Sequence, residues 1–314
     1  YYMNNATDVL MLSNTSSAYG TSLHYSNDAA ITTQGYDISL QVAPVYNRNF
    51  KWVVGGSVSA FKNEVAALGE EKSLISVLSD DATIITEVGK APYSFYGYEV
   101  NGVFSTIKEA REANLKNRNG IAYEAGDMHY VDQNGDHIIN DKDKVILGSA
   151  TPDLFGTLYN RFEYRGLALD VTLGYSWGNE AYNATRRYIE SSDDFGNQSL
   201  AVVRRWTMNG QQTDMPRANY GDVVGNNDFS ARWIEDASYL KVKDVTLSYT
   251  FNKPLWNIFQ GGTVYVTGQN LLCFTNYLGL DPEFAYSYSP IMQGVDYAKV
   301  AMPRTVKMGV NLKF

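Results

Sequence analysis

Cysteine is almost absent. Cys273 stands alone, which excludes an internal disulfide framework and any cysteine-built zinc cage. Charge is sparse at 19% of the 314 residues, below the roughly 25% of an average soluble domain. Aromatics nevertheless reach 13%, with 24 tyrosines, and such a chain is not intrinsically disordered. The 26 lysines and arginines trail 34 acidic residues, giving a net charge of −8. No basic cluster offsets that balance, so phosphate-rich nucleic acid is not an expected partner. No run approaches the about 18 apolar residues of a transmembrane helix. That excludes helical spans only, because a spanning β-barrel hides its apolar residues in alternation. The opening Tyr1, Tyr2, Met3, Asn4 and Asn5 form neither a start methionine nor a signal peptide, and the sequence is expected to begin partway along a longer one.

What is present is period two. Leu167, Leu169, Val171, Leu173, Tyr175 and Trp177 alternate with Ala168, Asp170, Thr172, Gly174 and Ser176. Val306, Met308, Val310, Leu312 and Phe314 alternate with Thr305, Lys307, Gly309, Asn311 and Lys313, and Tyr36, Ile38, Leu40 and Val42 form a third case. Weaker alternation marks 51–61, 153–164, 238–251 and 263–274, and residues 1–12 read as the end of another strand. In 238–251 the apolar phase shifts near Asp244, as a bulge or an exit from a membrane produces. No long segment carries a 3.6-residue stripe. The expected class is all-β, with eight strands in up-and-down order.

The connections alternate in length. Asn47–Asn49, Arg165–Gly166 and the segment near 252–262 are brief, whereas 13–34, 62–152, 178–237 and 275–303 are long. Compact soluble domains rarely hold such loops, and outer-membrane barrels pair short turns on one side with long loops on the other. Aromatics at strand ends, namely Tyr175, Trp177, Tyr249, Phe251 and Phe314, suit interfacial girdles. A soluble β-sandwich, whose inner faces also alternate, is the competing architecture.

One loop carries metal-ligand spacing. Asp132, Asn134, Asp136, Asn140 and Asp143 place oxygen side chains at positions one, three, five, nine and twelve. A twelve-residue loop so built wraps a hard cation, with Ile138 supplying a backbone carbonyl. Asp132, Asn134, Asp136, Ile138 and Asp143 are therefore the expected ligands of a structural Ca²⁺, and apolar Ile139 would anchor the loop. Position six is His137 rather than glycine, and position twelve is aspartate rather than glutamate. Ordinary turn chemistry accounts for such a cluster too.

Catalytic signatures are missing. His24, His129 and His137 are too scattered for a metal helix. Gly89-Lys90 completes no phosphate loop, and Gly55 to Ser59 forms no hydrolase elbow. Asp80-Asp81 and Asp193-Asp194 read as solvated turns. No enzyme is expected. Thr106 with Glu109 resembles a capping box, and Ser199–Trp206 a short helical turn. Trp206, Trp233, Tyr286 and Tyr288 are candidates to stack on a sugar or peptide, or else to pack between loops.

Ordered motifs then resemble the C-terminal barrel portion of the SusC/RagA family of TonB-linked outer-membrane proteins. They are Phe95-Tyr-Gly-Tyr98 with Gly102-Val-Phe104, and Gly126-Asp127 through Asp136 with Ile146-Leu-Gly148. They continue with Arg205-Trp-Thr207, Thr213-Asp-Met-Pro-Arg217 and Trp233-Ile-Glu-Asp236 through Tyr249. Val264 to Leu271, Gly279 to Glu283 and Pro303-Arg-Thr305 through Phe314 complete the set. The resemblance covers nearly the whole chain. It implies the last eight or so strands of a 22-strand barrel, import of a bulky glycan or peptide, a SusD-like lipoprotein partner, and energy through TonB. The plug, the TonB-binding segment and the earlier strands are not in this sequence, so it is expected to pair with them. Closure on itself as a small barrel, or a calcium-dependent surface binding module, are the alternatives.

Overall fold

The computed structural model describes residues 1–14, 23–252, 260–284 and 287–313. Its main element is an antiparallel sheet of eight strands. These are β1 (Tyr2–Asn14), β2 (Leu23–Tyr46), β3 (Phe50–Leu68), β4 (Leu154–Tyr164), β5 (Leu167–Trp177), β6 (Tyr239–Phe251), β7 (Gly261–Thr275) and β8 (Thr305–Lys313). Each pairs with the next in chain order. Among the described residues, β1 and β8 remain as two unpaired edges. The sheet is open, so closure on itself is not what this chain adopts.

Register explains the alternation. Leu169 lies opposite Phe162 on one side and Leu247 on the other, and the row continues through Val266 to Met308. A second row runs Tyr164, Leu167, Tyr249, Val264, Val310. A third joins Val171, Val245, Gly268 and Val306. This apolar face is not a core: Val306 is 67% exposed, Met308 79% and Val310 60%. A soluble sandwich would bury these residues against a second sheet, and so that architecture is set aside.

The opposite face satisfies itself with polar pairs. Arg161 donates to both oxygens of Asp170 at 2.9 Å, and the Tyr159 hydroxyl donates to the same carboxylate at 2.6 Å. Lys51 meets Glu163 at 3.4 Å, Gln269 donates to Asp244 at 2.7 Å, and Thr246 faces Thr267 at 2.8 Å. Such cross-strand pairs are the unit of sheet stabilisation. The phase shift near Asp244 is a bulge at Lys243, skipped in the pairing with both neighbours. It keeps Val242 and Val245 together on the apolar face, opposite Leu173 and Val171.

Short turns gather at one end. Arg165 and Gly166 both take positive φ, 47° and 88°, as a two-residue hairpin matching the strand twist requires. Asn47 closes the turn before β3 by accepting from the amides of Asn49 and Phe50. At the other end the strands run further than the alternation foretold. β1 extends to Asn14, β2 starts at Leu23 and β3 reaches Leu68, so much of the expected long connection 13–34 is strand, and its remainder, 15–22, lies outside the described residues. The reason is physical: polar Thr32, Thr33 and Gln34 leave no alternation to see, while Ala29, Val65 and Leu68 of the extended strands are buried with Leu74 of the next connection packed against them. Of the girdle candidates, Trp177 and Tyr249 are exposed at strand ends. Tyr175 instead lies opposite Gly156 and donates to the Ser57 carbonyl at 3.0 Å, and Phe314 lies outside the described residues.

The connections 69–153, 178–238 and 276–304 fold together into a cap. One four-stranded sheet joins Ser73–Val77, Thr83–Glu87, Ser94–Tyr98 and Lys144–Gly148. A three-stranded one joins Glu180–Asn183, Ile234–Asp236 and Val295–Asp296, uniting two connections. Helix α1 (Ile107–Ala113) starts where expected, with the Thr106 hydroxyl accepting from the Glu109 amide at 3.1 Å. Ser199 likewise caps the turn Leu200–Arg204, and helix α2 spans Ala184–Ile189. The buried apolar clusters lie largely in this cap. One holds Phe104, Tyr123, Met128, Tyr130 and Ile139, another Ile84, Phe95, Tyr182, Phe229 and Trp233.

Candidate functional site

The loop 132–143 sits on the edge of the first cap cluster. Ile139 is buried there as its anchoring role requires, and Ile138–Ile139 pair in parallel with Lys116–Asn117. Asp132 turns its two oxygens onto the amides of Gly135 and His137, both at 2.8 Å. Asn134 accepts from the Asp136 amide at 2.9 Å, and Asp136 from the Ile138 amide at 2.8 Å. Burial pushes the Asp132 carboxyl up, but the surrounding loop amides outweigh it and hold the pKa below the usual aspartate value. His137 adopts φ 62°, the left-handed turn that glycine takes at this position of a cation loop. Asp143 is fully buried and ties the two ends of the loop, accepting from Gln133 at 3.0 Å and Asn140 at 2.8 Å. Asn140 donates to the Ile138 carbonyl at 2.9 Å.

The donors are all oxygen, which suits a hard cation. In this conformation they serve the loop's own amides. Among the described residues, no three acidic, histidine or cysteine side chains are grouped closely enough to hold a metal.

The aromatic candidates part company. Tyr288 is fully exposed. Trp206 is half-buried, packs on Gly126, and donates to the Ser105 carbonyl at 3.1 Å. With Ala110, Leu115 and Tyr123 it lines a cavity of about 510 Å³ beside α1. For Trp233 the ligand-stacking expectation gives way to packing: it is 0% exposed in the second apolar cluster, with the guanidiniums of Arg232 and Arg186 4.1 Å and 5.5 Å from its ring centre. It builds the cap core and does not meet a ligand. Tyr286 lies outside the described residues.

Ion networks that hold the cap escaped sequence reasoning. Arg217 reaches fully buried Asp127 at 2.8 Å and Glu124 at 3.0 Å. Arg186 bridges Glu190 at 2.9 Å and Glu235 at 2.7 Å. Lys241, on the upper part of β6, is buried against Asp281 at 3.0 Å and Glu283 at 3.1 Å, pinning the last connection to the wall. Apart from Arg186–Glu190, which are four residues apart, these partners lie 40 to 93 residues apart and leave no local signal.

No protein-family model matches the sequence. Among curated proteins, TonB-dependent receptor P3 of Formosa agariphila is 30% identical over 336 aligned residues, covering 100% of this chain and 32% of the relative. TonB-dependent receptor P26 of the same organism is 29% identical over 327, again 100% and 32%. TonB-dependent receptor SusC of Bacteroides thetaiotaomicron is 24% identical over 296, covering 92% and 27%. The solved RagAB peptide transporter has the same fold over 99% of this chain and 32% of its own, at 22% identity and a TM-score of 0.78. These relatives are receptors and transporters, not enzymes. The chain spans about one third of the length of these relatives, and over that span it is homologous to TonB-dependent receptors, SusC among them, and shares the RagAB fold.

Proposed function

We propose that the chain forms the C-terminal wall and extracellular cap of a TonB-dependent importer in a Gram-negative outer membrane. The observation that carries this reading is the outward face of the sheet, whose apolar rows cross from β4 to β8 and stay exposed. Hydrocarbon is the solvent such rows suit, and the polar face opposite them suits a wet lumen. Two open edges support pairing with further strands, since lipid does not tolerate unpaired backbone. The remainder of the barrel supplies those strands, and a plug with its TonB-binding segment supplies gating and energy. The relatives named SusC and RagAB support a SusD-like surface lipoprotein as partner and a bulky glycan or peptide as cargo. Uptake of labelled oligosaccharide and of labelled oligopeptide, in cells with and without the intact receptor and with and without TonB, tests this. Uptake of one cargo lost in both deletions is expected. Equal uptake of both cargoes in all strains contradicts import.

The same reading includes a structural Ca²⁺ in the loop 132–143. Asp132, Asn134, Asp136 and Asp143 would offer side-chain oxygens and Ile138 its carbonyl, after modest rotation away from the loop amides. The cation would stiffen a cap loop and takes no part in any reaction. Titration of the intact receptor with Ca²⁺ by calorimetry should give heat that the Asp132→Asn/Asp136→Asn variant loses. Identical heats in both proteins dispose of the site.

A further inference from the structure

The cavity beside α1 has a lining that divides by chemistry. Ala110, Leu115 and Tyr123, each no more than 5% exposed, supply its buried apolar part. Trp206 is a fixed wall. Its backbone amide donates to the Met215 carbonyl at 3.0 Å and its indole N–H to that of Ser105 at 3.1 Å. Its six-membered ring lies so close to Gly126 that no Cβ would fit there. At about 510 Å³ the space falls within the range of about 300–1,000 Å³ usual for ligand pockets, which are likewise mostly apolar with a few polar groups.

Those polar groups are unevenly spent. Arg217 gives its Nε and Nη2 to Asp127 and its Nη1 to Glu124. Arg111, in the last turn of α1, and Asn114, its C-cap, are exposed and line the same cavity. Among the described residues neither of these two side chains has a hydrogen-bond or ion-pair partner. Three positions apart they are neighbours on the helix surface, and a guanidinium beside a carboxamide offers donors that lack an acceptor. A carboxylate is the acceptor that an arginine fork takes with two bonds at once. We propose that this cavity binds the C-terminus of a peptide, with an apolar or aromatic last side chain against Trp206 and the carboxylate on Arg111 and Asn114. A sugar suits the space less, because hydroxyls turned onto Ala110 and Leu115 would find no partner. The assignment rests on the reading of the cap as extracellular, and it narrows the chemistry that the cap meets.

Binding is measured on the intact receptor in detergent, without transport or TonB, so its failure leaves the import reading standing. The tripeptide alanyl-alanyl-phenylalanine, its C-terminal amide, free phenylalanine and maltotriose are titrated calorimetrically. The tripeptide is expected to bind, and its amide at least about tenfold more weakly. Arg111→Gln should bring acid and amide to equal affinity. Ala122→Trp, a change at an exposed residue that lines the cavity, should abolish binding of both. No tripeptide binding, equal affinity of the parent for acid and amide, or a ratio untouched by Arg111→Gln overturns the proposal. So does tripeptide binding that survives Ala122→Trp. Free phenylalanine binding more tightly than the tripeptide, or maltotriose binding in its place, assigns the cavity to another ligand and overturns it equally.

Discussion

Val171→Arg probes the apolar face most sharply. Val171 sits on β5 between Asn160 of β4 and Val245 of β6. The outward run from Leu167 to Tyr175 covers eight residue steps, roughly 26 Å along the strand at about 3.3 Å each. Tilted as barrel strands are, that run crosses most of an apolar band about 25 Å tall, with Val171 halfway. An arginine there should cost about 2–4 kcal/mol, which lowers the folded-to-unfolded ratio by roughly 30- to 1,000-fold. The neighbouring Thr172→Arg is the internal control, since Thr172 points the other way and lies opposite Asp244. Its cost should stay within about 1 kcal/mol, because the new charge meets water and a carboxylate. Guanidinium unfolding of the intact receptor in lipid vesicles reads both. Equal losses in the two variants would refute the orientation argued for the wall.

Other outcomes follow from the cap. Burial, with the Asp222 charge adding to it, pushes Asp228 up to about 6 from its ordinary 3.8. A raised carboxyl contributes stability that is whole below about pH 4 and lost as pH climbs through 6, on the order of 3 kcal/mol. Asp228→Asn should therefore match the parent at pH 4 and exceed it at pH 8 in thermal midpoint. An identical pH profile in the two proteins would count against a desolvated, half-buried Asp228. Lys241→Ala strands Asp281, which is itself buried, and breaking such a pair costs about 3–5 kcal/mol. Protease should then cut within 276–304 far faster than in the parent, and unchanged cleavage would show that the pair anchors nothing. His137→Gly should stabilise the loop by about 1 kcal/mol, because φ 62° is strained for histidine and free for glycine. Slower amide exchange across 132–143 is the readout, and faster exchange contradicts the strain.

Legibility in the sequence tracked the solvent. Where one face is apolar and the other polar, as from Leu167 to Trp177 or Thr305 to Lys313, period two was visible and the strands fell in place. The bulge at Lys243 was equally readable, because it breaks that period. Above it, residues 23–35 and 62–68 are strands without alternation, since both faces meet water or the cap. Only their pairing with one another reveals them. β2 is 24 residues long, about 80 Å at roughly 3.3 Å per residue, far more than its apolar run suggested. Local chemistry in the site was also legible. The asparagine and aspartate spacing of 132–143 suggested a cation loop or ordinary turn chemistry, and the tight turns and buried Ile139 are common to both. Trp233 was not, because what buries it comes from Arg186, 47 positions earlier, as well as from its neighbour Arg232.

Site-directed spin labelling along β5 and β6 of the intact receptor, in lipid vesicles and with Cys273 replaced by serine, reaches the main claim most directly. Accessibility to oxygen, which partitions into hydrocarbon, is compared with accessibility to a water-soluble nickel chelate. Labels at Leu169, Val171, Val245 and Leu247 should favour oxygen, and those at Asp170, Thr172, Thr246 and Ser248 the chelate. Labels shielded from both reagents on both faces would mean that the sheet is packed inside protein, and that no bilayer surrounds it.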